Sequence, residues 1–402
     1  MSSASRLAPV ALALLLVLAG CGGSTGGGTP TNDSTVTTTA PGSQYDVPVE
    51  NGTLPVDANR TYARVTSLMG TDVDPRPVEV RNWSEWRENL PRVAAAPIND
   101  ALGYENVSAD WSEPTGLTLP TGYVYLHPGE GSPDEIERVL AHEFVHSVQF
   151  QGNMFPWLDR LRTQDARTTT DEAKVYRSLQ EGGAVYVTDA YTERYLDGRN
   201  DSAVAREYMD ESPTHWSALA PYYFGNRYVA DRIDSPANLS VVYEDRPVTT
   251  EQLIHNYTRA EEPPAALTVE TNATGSDWEY EGNNTLGEMT TRGALGTELN
   301  RSRAAAAAAG WGTDELTIFS RTGEDDRFGW AWVHRWDDAS EADEAAAALE
   351  AYADRRDESG TYDFAFTRVD EGTTALVFGD PALVANATVS GTTGNVSVAV
   401  GS

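Results

Sequence analysis

The stretch Val139-Leu140-Ala141-His142-Glu143-Phe144-Val145-His146-Ser147-Val148 decides how the rest of the chain is read. On a helix His142 and His146 lie one turn apart on one face, where both imidazoles can reach a single Zn²⁺ while Glu143 can act on a water beside it. The flanking residues predict that helix. Ser132 suits the N-cap, Pro133 the first helical position, and Glu135 completes a capping box with Ser132. Ile136, Val139, Leu140 and Phe144 follow at helical spacing, and from Pro133 to Gln151 the helix would be about 28 Å long, enough to cross a domain. A polar helix face without metal is the competing reading; uncharged flanks and matched caps favour the metal.

A catalytic zinc site usually has three protein ligands, and Cys21 is the only cysteine, so the ligands must be His, Asp or Glu and the chain has no internal disulfide. The best third ligand is Glu181, 35 residues beyond His146, in a helical stretch from about Asp171 to Leu196. Gly182 and Gly183 follow it, and two glycines inside a helix cost roughly 2 kcal/mol relative to alanine, which implies that another backbone approaches closely. The motif helix is the expected partner, with the two helices antiparallel. Asp189, eight residues on, shares the Glu181 face and is a candidate for orienting a ligand, or an ordinary solvated carboxylate. Tyr123 to Leu126 alternates like a strand and is the expected edge strand beside the metal. His127 in the following turn reads as a solvated histidine.

His142 to His146 followed by Glu181-Gly182-Gly183-Ala184 resembles the gluzincin pattern, H-E-x-x-H and then E-G-x-A on a second helix. Gln149, Gln151, Pro221-Tyr222-Tyr223-Phe224-Gly225-Asn226-Arg227-Tyr228-Val229 and Arg246-Pro247-Val248-Thr249-Thr250-Glu251-Gln252-Leu253-Ile254-His255 extend the likeness to a group of exported metalloproteases that includes haloarchaeal surface lipoproteins. Ala308-Ala309-Gly310-Trp311-Gly312-Thr313-Asp314 and Trp336-Asp337-Asp338 continue it. The resemblance implies one Zn²⁺ per chain on His142, His146 and Glu181, Glu143 as general base, and a peptide or protein substrate. A donor for the developing oxyanion is also needed, and Tyr222, Tyr223 and His215 are candidates, Tyr222 first, although aromatic residues in an apolar run are more often core. His255 reads as a structural hydrogen-bonding residue and His334, in a Trp-rich strand, as packing.

The ends carry a different message. Arg6 precedes the apolar run Leu7 to Leu18, too short to span a bilayer comfortably, and Leu18-Ala19-Gly20-Cys21 resembles a lipobox. Lipid on Cys21 would anchor the protein to the membrane, on the extracellular face of the cell. Residues 22–46 are mostly Gly, Ser, Thr and Pro, with almost no large apolar residue, and read as a tether. Sequons such as Asn51, Asn82, Asn106, Asn238 and Asn395 suit a glycosylated surface protein. A net charge of −32, with Lys174 the only lysine among 29 basic residues, disfavours nucleic acid as a partner and resembles proteins of salt-accumulating archaea.

The expected class is α+β, a zincin-like catalytic region with an active-site helix pair and edge strand, plus a C-terminal α+β unit. The boundaries read from the sequence are 1–21 for the signal, 22–46 for the tether, 47–120 for an N-terminal subdomain, 121–284 for the metallopeptidase region and 285–402 for the C-terminal domain. The function expected is zinc-dependent peptide hydrolysis; a surface binding or structural lipoprotein that retains the fold without turnover is the alternative. Zinc capture for import is disfavoured by the lack of a His-rich tract.

Overall fold

The computed structural model describes residues 45–82, 97–104, 112–155, 168–196, 203–210 and 213–401. The expected leader, Cys21 and nearly all of the tether lie outside these residues, as does Trp83 to Val93, a stretch whose sequence reads as a helix. The chain mixes helices and sheets in a manner compatible with the α+β class. Among the described residues no helix is long and apolar enough to cross a membrane.

The first half opens with β1 (Val49–Glu50), α1 (Ala58–Met69), β2 (Val78–Val80), α2 (Pro97–Ala101), β3 (Thr115–Thr118) and β4 (Val124–His127). The four strands form one sheet in the order β1-β2-β4-β3. The motif helix α3 (Pro133–Gln151) follows, with Ser132 and Glu135 making the expected reciprocal capping box. Then come α4 (Thr170–Tyr195), α5 (Ala203–Asp210), α6 (Pro213–Ala230), α7 (Leu239–Glu244) and α8 (Thr250–Ile254). Helix α3 is buried without interruption from Val139 to Gln149, so its polar side chains depend on partners inside the protein. Its apolar ones share a core with Tyr62 and Val65 of α1, Val78 of β2, Leu126 of β4 and Leu179 of α4. Tyr62 meets Phe144 edge-on, with ring centroids 5.0 Å apart.

The second half contains β5 (Thr268–Asn272), β6 (Trp278–Asn284), α9 (Gly287–Glu298), α10 (Arg301–Ala308), β7 (Trp311–Arg321), β8 (Glu324–Trp336), α11 (Ala339–Glu358), β9 (Asp363–Asp370), β10 (Thr373–Gly379), α12 (Pro381–Asn386), β11 (Ala387–Thr392) and β12 (Asn395–Val400). An antiparallel sheet runs β6-β7-β8-β10-β9, and strand alternation gives it two apolar faces. Trp330, Trp332 and Trp336 belong to one core with Leu295, Ala345, Leu349 and Tyr352 of the helices. Ala331, Val333, Ala375 and Val377 belong to another with Val396, Val398 and Val400 of the three-stranded sheet β11-β12-β5. Asp314 ties the unit together: its buried carboxylate accepts from the backbone N–H groups of Leu286 and Gly287 at 2.8 and 2.7 Å and from the indoles of Trp311 and Trp332 at 2.9 and 3.1 Å.

Several sequence expectations change. Residues 47–120 are no separate subdomain, because β3 pairs with β4 and α1 packs into the core of the motif helix. Ala101 and Leu102 instead join the C-terminal core, where the Tyr352 hydroxyl donates to the Leu102 carbonyl at 3.1 Å. Because β5 and β6 belong to the C-terminal sheets, that unit begins near residue 268 and not at 285. The Tyr123 to Leu126 segment forms β4 in the sheet interior, while β3 is the edge. Period-two alternation cannot distinguish these positions, since neighbours across a sheet are set by tertiary pairing. Gly310, which suits a helix stop after the run Ala304 to Ala309, does follow the α10 C-cap Ala309, and packing also requires it, since a Cβ there would fall 2.3 Å from the Cβ of Glu341.

Candidate metal centre

His142 and His146 on α3 and Glu181 on α4 converge, with one ligand atom from each within 4.8 Å of the others, and all three are buried. The His146 Nε2 lies 3.1 Å from the His142 Nε2 and 3.1 Å from Glu181 Oε2, and the His142 Nε2 lies 3.6 Å from the same oxygen. Ligands about 2.0 Å from one tetrahedral ion stand about 3.3 Å apart, so two imidazoles and a carboxylate at these separations fit zinc in both spacing and donor type. Burial would raise the Glu181 carboxyl, but His146, hydrogen bonds from His142 and His146, and Arg177 hold it well below the usual range. Burial opposes a charge on His146, yet Glu181, Glu143 and Gln149 carry it up to about 9.

The orientation of His146 is set by residues behind it. Its Nδ1 lies 2.8 Å from Gln149 Oε1, while the Gln149 amide donates to the Gln180 carbonyl at 3.1 Å and to the Tyr243 hydroxyl at 2.9 Å. With that amide group committed as donor, Gln149 can only accept from His146, which fixes a proton on Nδ1 and makes Nε2, facing Glu181 and His142, the nitrogen that would exchange its proton for a metal. Gly183 makes the room: a Cβ there would sit 2.2 Å from the Tyr243 hydroxyl. Gly182 does a separate job. Its Cβ would fall 2.1 Å from the carbonyl carbon of Gly225, so the close partner demanded by Gly182 is α6, not the motif helix expected from the sequence.

Glu143 is 1% exposed and receives the Thr118 hydroxyl on Oε2 at 2.6 Å, while its Oε1 has no hydrogen-bond partner. Edge strand β3 passes directly over it; a Cβ on Gly116 would fall 2.3 Å from the Glu143 Cγ. Burial pushes the Glu143 carboxyl up, and His146, His142 and Thr118 pull it back. An unpartnered buried carboxylate oxygen beside a metal-type cluster is positioned to take a proton from a group entering the site.

The remaining candidates scatter. Tyr222 is buried on α6 against Val185, one turn beyond Glu181, and the Arg177 guanidinium reaches its hydroxyl at 3.4 Å, so it flanks the cluster. Tyr223 stacks on Tyr208 with centroids 4.2 Å apart. His215 belongs to α6, and its side chain lies outside the described residues. Asp189 takes a bond from Asn226 at 3.5 Å, two turns along α4 from Glu181. His127 contacts the Arg81 carbonyl through Nδ1 at 3.1 Å. His255 pairs with the buried Glu288 at 3.1 Å, and His334 is packed between Trp332 and Trp336, both as expected. Sequence reading missed Thr118, Gly116, Tyr243 and the role of Gln149. Of these only Gln149 had a local signal, three residues after His146 on the same helix.

Residues 278–395 match a family described as a domain of unknown function (DUF8575). That segment covers most of the C-terminal unit and none of the metal-type cluster. No curated protein and no solved structure matches the chain.

Proposed function

We propose that this chain is a zinc-dependent peptidase of gluzincin type, with a zincin-like catalytic region, tethered to the outer face of the cell membrane through lipid on Cys21. The observation that carries the activity is the convergence of His142, His146 and Glu181 beside the unpartnered Glu143 Oε1. The lipobox-like Leu18-Ala19-Gly20-Cys21 supports the anchor. Bound by the three ligands, zinc would supply Lewis acidity toward water and the substrate carbonyl.

The protein's own groups then have separable tasks. Gln149 holds His146 in the ligating tautomer. Glu143 accepts a proton from water as it attacks the peptide carbon and delivers it to the leaving amine, with Thr118 holding the other carboxylate oxygen in place. Tyr222, whose hydroxyl is reached by Arg177 one turn before Glu181, is the phenol assigned to serve the developing oxyanion.

Elemental analysis of the purified protein tests this reading. About one zinc per chain is expected, lost in His146→Ala and Glu181→Ala and retained in Glu143→Gln, whose peptide hydrolysis should fall about 10²- to 10⁴-fold. A folded wild type that takes up no zinc overturns the peptidase. Zinc bound equally by wild type and Glu143→Gln, with no hydrolysis by either on a peptide library, leaves a binding lipoprotein.

A further inference from the structure

The face of α4 that carries Glu181 also carries Arg177 and Lys174, four and seven residues earlier, about 6 and about 10 Å back along the axis. Arg177 belongs to the centre already described. Its guanidinium lies over the Tyr222 ring at 5.5 Å and reaches the hydroxyl, and its charge helps keep Glu181 ionised. Lys174 is different. It is the sole lysine of the chain, half-buried, and among the described residues no hydrogen bond or ion pair engages its ammonium.

That is an unusual position for a cation in a chain with 61 acidic residues, where carboxylates are abundant. Asp171, one turn back, could have taken it. Its Oδ1 instead accepts from the backbone N–H of Thr250 at 3.0 Å and from the Thr250 hydroxyl, and it lies against Gly287. Burial pushes Lys174 down to about 8, with Asp171 restoring some of the charge and Arg177 opposing it, so the ammonium is still mostly protonated at neutral pH. A half-desolvated ammonium without a partner is costly unless something that enters the site completes it. Elsewhere the strongly negative chain repels anions, so an anionic ligand must be recognised by a local pair of cations.

Resting on the peptidase reading, we propose that Lys174, backed by Arg177, recognises a carboxylate on the substrate, either the chain terminus or an acidic side chain, about three residues from the bond that is cut. The distance follows from the roughly 10 Å between the Lys174 and Glu181 turns and the 3.3 Å that each extended residue spans. A compact ammonium on a flexible stem suits a single carboxylate, whereas a bidentate guanidinium would impose one approach.

The sole lysine supplies its own reporter. In full-length protein labelled with ¹³C at lysine Cε, Lys174 gives one lysine signal, which can be followed while acetyl-trialanine, its C-terminal amide, or acetyl-Ala-Asp-Ala-amide is added. A saturable shift with one or both of the acids and none with the uncharged amide is expected, before and after chelator treatment, and the acid that acts tells terminus from side chain. In the hydrolysis assay Lys174→Met should lower kcat/KM at least about tenfold for the acidic peptide only, and Lys174→Arg should recover part of it. A signal that ignores both acids, or answers the amide equally, overturns the proposal even if zinc and hydrolysis are found. If zinc uptake fails while the signal still answers the acids, the peptidase reading falls and the carboxylate site stands.

Discussion

Two buried histidines divide the molecule. His146 in the first half has both ring nitrogens engaged, Nδ1 by Gln149 and Nε2 by His142 and Glu181. His334 in the second half has neither nitrogen engaged and stands between Trp332 and Trp336, with centroids 4.3 and 5.3 Å away. Their surroundings drive them in opposite directions: neighbouring acceptors carry His146 up to about 9, and burial alone pushes His334 down to about 3. Burial of a histidine therefore does not mark a site. Convergence with other donors, and a partner that fixes the tautomer, does.

The contrast can be broken most severely at the glycines. Gly182→Ala forces a Cβ into the α6 backbone, which cannot yield as a side chain can, and should cost about 3 kcal/mol or more while also displacing Glu181 and lowering zinc uptake. Gly310→Ala meets the Glu341 side chain in the other half and should lower stability by about 1–3 kcal/mol with zinc uptake unchanged. Urea unfolding with zinc analysis on the same samples separates the two; equal zinc loss in both would mean that the halves are not independent.

Gln149→Ala tests whether the tautomer argument has energetic content. All three ligands stay, yet zinc affinity should fall about 10- to 100-fold in competition with a chelator. An unchanged affinity would reduce Gln149 to a packing residue.

The smallest effect at neutral pH belongs to His334→Phe, expected within about 1.5 kcal/mol of wild type because the imidazole makes no hydrogen bond that the ring would lose. Acid should separate them. The folded protein refuses a proton that the unfolded chain accepts at about 6.5, so wild-type stability declines as pH falls from there to about 3, and the variant lacks that component. Urea midpoints at pH 7, 5 and 4 give the difference.

Local sequence was sufficient for elements whose signals are local. Helix α3 starts on Ser132 and runs from Pro133 to Gln151 as its caps predict, and α1 covers Ala58 to Met69. The long α6 was not legible, since Pro221 interrupts the pattern and the helix is held by packing of Gly225 on Ser178 and Gly182 of α4. Strands β5, β6 and β11 offer few buried apolar positions from which to read an alternation, whereas Asn395 to Val400 of β12 alternates cleanly and was legible.

By itself the sequence determined the spacing of His142, Glu143 and His146, the helix that presents them, and Glu181 as the carboxylate to join them, because a helix converts sequence interval into direction. Tertiary structure alone decided what surrounds them. Thr118 and Gly116 reach Glu143 from a strand some 25 residues earlier, and Tyr243 reaches Gln149 from 94 residues later. Such contacts depend on how sheets and helices pack, and no local period encodes them.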